Sequence, residues 1–221
     1  MDKSIISKQV IKGIIFDLDG TLIDSLVDVA EFANAVLMKF GFAARNKEEY
    51  RYLAGQGAYN LMSASSRSND KALVSQMARE FAEVYERSSG ASKAYDGIEA
   101  VVSAIQARGM KVAVLSNKPE HLTKACVSKY FGNVDFAAVF GQRDGVDVKP
   151  NPALAFEIAN IFGLATNEIA IVGDSKNDIL TAKNGGFYAV GVTWGFRDRE
   201  ELTQNGADVI VDSPLELLNL L

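Results

Sequence analysis

The sequence predicts a doubly wound α/β fold, a parallel sheet with helices on both faces, carrying an inserted all-α unit, and three observations support that expectation. Short apolar runs near residues 13–17, 111–115, 136–140, 169–173, 187–192 and 207–211 alternate with helix-period segments, as in a parallel sheet with helical crossovers. Carboxylates and hydroxyls stand where several of those runs end, the edge at which open α/β sheets place their chemistry. From residue 24 to 89 no convincing strand interrupts the helical periods. A helical unit, 24–91, is therefore expected to interrupt a core made of 1–23 and 92–221. With 221 residues, 48% of them hydrophobic, the chain is long enough for one full core and a small second unit.

The first strand is Ile14-Ile15-Phe16, followed by Asp17 and Asp19 and broken at Gly20. Ser25-x-x-Asp28 reads as a capping box. It opens a helix with apolar residues at Leu26, Val29, Ala30, Ala33, Val36, Leu37 and Phe40, ending at Gly41. A second helical period runs through Leu73, Met77, Phe81, Val84 and Tyr85. Ser88-Ser89-Gly90-Ala91-Ser92 reads as a hinge, and Asp96 with Glu99 boxes the start of the helix that leads to the next strand. That strand, Val112 to Leu115, ends at Ser116-Asn117-Lys118, ahead of a helix over 119–130. Ser116 there can cap the helix or offer its hydroxyl to an anion, two roles compatible at a helix N-terminus. Lys149-Pro150-Asn151-Pro152 opens an apolar-periodic segment from Ala153 to Phe162. Ile169 to Val172 then runs into Gly173-Asp174-Ser175-Lys176-Asn177-Asp178. Asp174 and Asp178 are four apart and share a face if a helix begins at Ser175, where Asp178 also suits the helix N-terminus.

Two carboxylates two residues apart at a strand end, Asp17 and Asp19, are costly because like charges resist joint ionisation. A divalent cation compensates them, and hard oxygen donors beside a substrate phosphate suit Mg²⁺.

Asp17-x-Asp19-Gly20-Thr21, the strand end at Ser116, Lys149 and the run from Gly173 to Asp178 stand in the order of the four motifs of the haloacid dehalogenase superfamily. The chain resembles that family over nearly its whole length. The resemblance implies a Mg²⁺-dependent phosphatase of small-molecule phosphomonoesters, with the first strand central in the sheet and the insert a C1-type cap over the catalytic face. It implies that Asp17 attacks phosphorus in line, forming an aspartyl-phosphate. Asp17, Asp174, the Asp19 backbone carbonyl and, through a water, Asp178 are then the metal set. Thr21, Ser116, the Asn117 N–H and Lys149 are the phosphate-binding set. Asp19 is expected to protonate the leaving alcohol and then take a proton from the hydrolytic water. For the first role it must hold a proton near neutrality, well above the free value of ~3.9.

Within the superfamily, Asp19 argues against dehalogenases, which lack the Asp-Gly-Thr continuation, and against phosphonatases, which replace the second Asp with Ala. Sugar phosphomutases carry a His ten residues after the second Asp, where this chain has Val29. Asp24-Ser25, the tail Gly191-Val192-Thr193-Trp194-Gly195-Phe196-Arg197 and Ala207-Asp208 are most similar to the phosphoglycolate phosphatase group, so phosphoglycolate is the expected substrate. A sugar phosphomutase or pyrophosphatase of the same fold and a catalytically silent phospho-ligand binding protein are the alternatives. Receiver-type signalling modules share the Asp cluster, hydroxyl and Lys but are shorter and lack a helical insert.

Substrate selection is expected from the loop Ala54-Gly55-Gln56-Gly57-Ala58-Tyr59-Asn60, whose glycines let backbone approach a ligand. Family members often place a basic residue there. Here Gln56, Tyr59 and Asn60 stand instead, which weighs against a carboxylate-bearing substrate unless Arg51 of the preceding helix supplies the charge. Trp194 and Phe196 border the entrance or pack beneath it.

No apolar stretch approaches the roughly 18 residues of a membrane span, and no signal-peptide h-region opens the chain, so no membrane partner and a cytoplasmic location are expected. The net charge of −5, without a basic footprint, argues against a nucleic acid polymer as partner but not against a nucleotide monomer as substrate. Cys126, the single cysteine, cannot form an internal disulfide and reads as a small core hydrophobe; His121 reads as a surface residue. Monomer and homodimer are equally open.

Overall fold

A computed structural model describes residues 10–88 and 90–219; the chain start and Ser89 of the expected hinge lie outside the described residues. Strand β1 (Gly13–Phe16) leads through a two-residue strand, β2 (Ile23–Asp24), into four helices: α1 (Leu26–Lys39), α2 (Tyr50–Leu53), α3 (Ala58–Ser66) and α4 (Lys71–Arg87). The chain returns through β3 (Lys93–Ala94) and α5 (Ile98–Ala107). Strands and helices then alternate: β4 (Lys111–Pro119), α6 (Glu120–Tyr130), β5 (Ala138–Gln142), α7 (Ala153–Phe162), β6 (Ile169–Gly173), α8 (Lys176–Gly185), β7 (Tyr188–Val192), α9 (Arg199–Gln204) and β8 (Val209–Val211).

Six strands form one parallel sheet in the order β5-β4-β1-β6-β7-β8, with β1 inside it as the resemblance implied. Strands buried on both faces read as continuous apolar runs rather than alternating ones, which is why Ile14-Ile15-Phe16 and Ile169-Ala170-Ile171-Val172 carry no polar face. Successive side chains still divide between two cores. Ile14 and Phe16 join one with α5, α6 and the insert, and Ile15 joins the other with α7 and α8. Register sets the site. Phe16 lies beside both Val114 and Val172, so the residues that follow β1, β4 and β6 leave the sheet at one edge.

The insert packs its own apolar stripe, Val29, Ala33 and Leu37 of α1 with Met77, Phe81 and Tyr85 of α4, into the first of these cores. Asp70 caps α4 by accepting the N–H groups of Ala72 and Leu73. The insert's entrance and exit are tied by the antiparallel pair β2–β3, with Ile23 opposite Ala94 and Asp24 opposite Lys93.

Several local expectations are corrected. The box at Ser25 and Asp28 does not form, because both side chains are buried and find distant partners. Ser25 Oγ donates to Asp19 at 2.6 Å, while Asp28 accepts the N–H groups of Ala91 (2.6 Å) and Ser92 (2.9 Å) and the Ser92 hydroxyl. Asp96 and Glu99 make no box either, since α5 begins at the left-handed Gly97 with no side-chain cap. Strand β4 continues to Pro119 through a register irregularity after Leu115. Ser116 is therefore extended backbone, not the cap of α6, which follows Pro119. The third expected strand is displaced to Ala138–Gln142. Among the described residues no helix is long and apolar enough to cross a membrane.

Candidate active site

Asp17 is still part of the sheet, its N–H donating to Val172 O at 2.9 Å, but its carboxylate has left it. Oδ1 accepts the Leu18 N–H at 2.7 Å and meets the Lys149 ammonium at 2.8 Å. Lys149 Nζ also donates to Leu115 O (2.9 Å) and Asp178 Oδ1 (2.6 Å), so its three protons are all engaged in a buried setting. Burial alone would discharge it. Asp17 and Asp178 override burial and hold the ammonium above its ordinary pKa.

Asp178 has a double role. As the third residue of α8 its Oδ2 accepts the Ser175 N–H (3.1 Å) and hydroxyl (2.8 Å), closing a capping box, while Oδ1 faces Lys149. Asp174 is oriented from the loop after β7, where the Phe196 N–H donates to Oδ2 at 2.7 Å. Glycines make room for this crowding. A Cβ on Gly20, whose φ is +85°, would strike the Asp174 carboxylate, and one on Gly173 would strike Asp178.

One oxygen from each of Asp17, Asp174 and Asp178 lies within 4.8 Å of the others, and all three residues are buried. Burial raises the Asp17 pKa well above its ordinary value, Asp178 and Asp174 add to the rise, and Lys149 opposes it. Asp174 is pushed up to about 7 by burial and by Asp178, against the Phe196 N–H, Arg197 and Lys149. Three carboxylates thus share one ammonium. The excess buried negative charge and the all-oxygen donor set fit a hard divalent cation.

Asp19 stands apart from that cluster. Both its oxygens accept from Lys118 Nζ, at 2.7 and 2.8 Å, and Oδ1 also takes the Ser25 hydroxyl. Lys118 lies 4.1 Å from the Tyr85 ring centroid. Burial would lower its pKa, but Asp19, with Tyr85 and Cys126, carries it well above the ordinary lysine value.

The remaining expected residues divide. Ser116 is buried, and its Oγ accepts the Lys118 N–H at 3.2 Å. The Asn117 side chain brackets the Lys149 main chain and donates to Gly55 O at 3.0 Å. Thr21 is buried with its hydroxyl unpartnered among the described residues, and its carbonyl accepts the Trp194 indole N–H at 3.0 Å. Trp194 is thus an anchor of the first turn, and Phe196 packs in the core.

A cavity of about 50 Å³ lies over Asp17, Asp19 and Ser116, roofed by Val29, Leu61 and Phe81 of the insert. None of Arg51, Gln56, Tyr59 and Asn60 borders it. Gln56 and Asn60 edge a separate groove beside Lys149 and Asn177, and Tyr59 is exposed. Arg51 donates to the carbonyls of Phe196 and Gly195, both at 3.3 Å. Arg197 answers from the core with bonds to the carbonyls of Tyr52 (3.1 Å) and Ala54 (3.0 Å). Asn177 donates to Gly55 O at 3.1 Å. Sequence reasoning missed Lys118, Arg197, Asn177 and the reach of Ser25 to Asp19. For Lys118 a signal was present, a cation directly after Ser116-Asn117 at a strand end.

A family described as haloacid dehalogenase-like hydrolase matches residues 14–192. A phosphoglycolate phosphatase of Vibrio parahaemolyticus is 31% identical over 97% of each chain, and one of Xanthomonas campestris is 29% identical over 93% of this chain and 94% of its own. The crystal structure of a predicted phosphoglycolate phosphatase from Haemophilus somnus superposes with a TM-score of 0.84 at 27% identity, covering 95% of this chain and 97% of that one.

Proposed function

The chain belongs to the haloacid dehalogenase-like hydrolase family, and from that premise we propose that it is a Mg²⁺-dependent phosphatase of small phosphomonoesters, with phosphoglycolate as substrate. The observation that carries this reading is the buried triad of Asp17, Asp174 and Asp178 with Lys149 between two of its members. With Oδ1 held by Leu18 and Lys149, Asp17 presents its other oxygen to phosphorus. Attack forms an O–P bond as the ester O–P bond breaks, Asp19 gives its proton to the leaving oxygen, and Lys149 and Ser116 stabilise the charge on the phosphoryl oxygens. Asp19 then takes a proton from the water that hydrolyses the aspartyl-phosphate. Asp17 and Asp174, with the Asp19 backbone carbonyl and, through a water, Asp178, would hold Mg²⁺, which would neutralise the carboxylates and the phosphoryl oxygens.

The helices between β2 and β3 act as the cap. The apolar side chains it places over the cavity, Val29, Leu61 and Phe81, support a short leaving group without hydroxyls to bury. Val29 on the cavity wall, where a mutase would need a base, supports hydrolysis over phosphoryl return. The test is phosphate release from phosphoglycolate, pyrophosphate, sugar phosphates, nucleoside monophosphates and pyridoxal phosphate, with and without Mg²⁺. Mg²⁺-dependent release, greatest with phosphoglycolate and abolished by Asp17→Asn, is expected. No release from any ester refutes the phosphatase reading.

A further inference from the structure

Lys118 is the one cation among the described residues bordering the cavity over Asp17, and nothing in the phosphoryl-transfer steps above uses it. Its side chain is only 7% exposed, and Asp19 takes two of its three donors. Such a buried ammonium is tolerable only while it is paired, so whatever displaces Asp19 from it must carry negative charge. Ser116 and Asn117 apart, the other side chains facing the leaving-group end of the cavity are apolar, chiefly Val29, Ala58, Leu61 and Phe81 from the insert and Leu122 from α6. Hydroxyls of a sugar would be buried there without partners, at a cost that a methylene avoids.

Resting on the phosphatase reading, we infer that Lys118 is a specificity-determining residue that binds a carboxylate on the carbon next to the ester oxygen. The distances suit that reach. Asp19 must touch the leaving oxygen to serve it, and Lys118 Nζ lies 2.7 Å from Asp19, so a carboxylate one carbon beyond the ester carbon meets the ammonium. The incoming carboxylate replaces Asp19 as the counter-ion of Lys118 and lets Asp19 turn to the leaving oxygen. The cation absent from the loop at 54–60 is thereby supplied from the end of β4. The substrate class is a phosphomonoester of a short 2-hydroxy acid.

The experiment compares 2-phosphoglycolate with its neutral amide, 2-phosphoglycolamide, on the Mg²⁺-loaded full chain, for the parent protein, Lys118→Met and Lys118→Arg. The parent is expected to favour the acid in kcat/KM by on the order of 100-fold. Lys118→Met brings that ratio near one, and Lys118→Arg retains most of it. If Lys118→Met does not fold, Lys118→Gln and the parent ratio decide. Equal use of acid and amide by the parent, or a ratio untouched when the ammonium is removed, overturns the inference while leaving the phosphatase reading intact. Release from neither compound while other phosphomonoesters are hydrolysed also overturns it. Release from no ester at all refutes the phosphatase reading itself.

Discussion

The side-chain amide of Asn117 and the main chain of Lys149 grip each other in both directions, Oδ1 accepting the Lys149 N–H at 2.9 Å and Nδ2 donating to the Lys149 carbonyl at 3.1 Å. The loop that delivers the ammonium to Asp17 is thus held from a strand 32 residues earlier in the chain. Asn117→Ala is expected to lower kcat about 100-fold through misplacement of Lys149. It should also cost about 1–3 kcal/mol in urea unfolding, because buried groups of Lys149 lose their partners. Steady-state kinetics and denaturation together check this.

The raised pKa of Asp174 makes stability depend on pH in a stated direction. Between the ordinary aspartate value near 4 and about 7, the unfolded chain has released this proton while the folded chain retains it. Metal-free protein therefore loses stability as pH rises through that window, and Asp17, raised by the same burial, adds to the loss. Added Mg²⁺ should restore stability increasingly from pH 5 to 8. Thermal melts in chelator and in Mg²⁺ measure both. In Asp174→Asn the metal-free slope should flatten and the Mg²⁺ response should fall.

Asp28 holds the return of the insert by accepting from Ala91 and Ser92. Asp28→Ala leaves those N–H groups without their charged acceptor, and a loss of roughly 2–3 kcal/mol is expected. Cleavage by protease near residues 88–92 should accelerate. An unchanged unfolding midpoint would contradict this assignment.

Arg51 and Arg197 exchange bonds to each other's loops, the former serving Gly195 and Phe196, the latter Tyr52 and Ala54. Arg51→Ala is expected to raise amide hydrogen exchange over residues 50–57. It should lower kcat/KM for phosphoglycolate and its amide by the same factor. A loss confined to the acid would make Arg51 a substrate contact.

Much of the site was legible because the relevant chemistry is local. Asp17, Ser116 and Asp174 each follow an apolar run, the first broken at the turn residue Gly20 and the last closed by the strand residue Gly173. The strand period and the parallel register then bring them together. What escaped is long-range. Ser25 and Asp28 have capping-box spacing, yet their partners lie at Asp19 and at Ala91 and Ser92, a choice made by tertiary burial that no local pattern records. Arg51 and Arg197 bind main-chain carbonyls, which every residue possesses, so their targets leave no trace in composition. Lys118 was visible as a cation, but its pairing with Asp19 spans 99 residues.

The carbonyl of Gly55 accepts amides from Asn117 and from Asn177, so one peptide group of the insert is fastened to two separate elements of the core. Were the insert to lift, both bonds would open together, and Asn117, which braces the Lys149 main chain, would lose one partner in the same motion. On the phosphatase reading proposed above, an ester too bulky for the insert to seat over it would leave both amides unpaired, so selection would fall on what permits shutting as much as on what can reach Asp17.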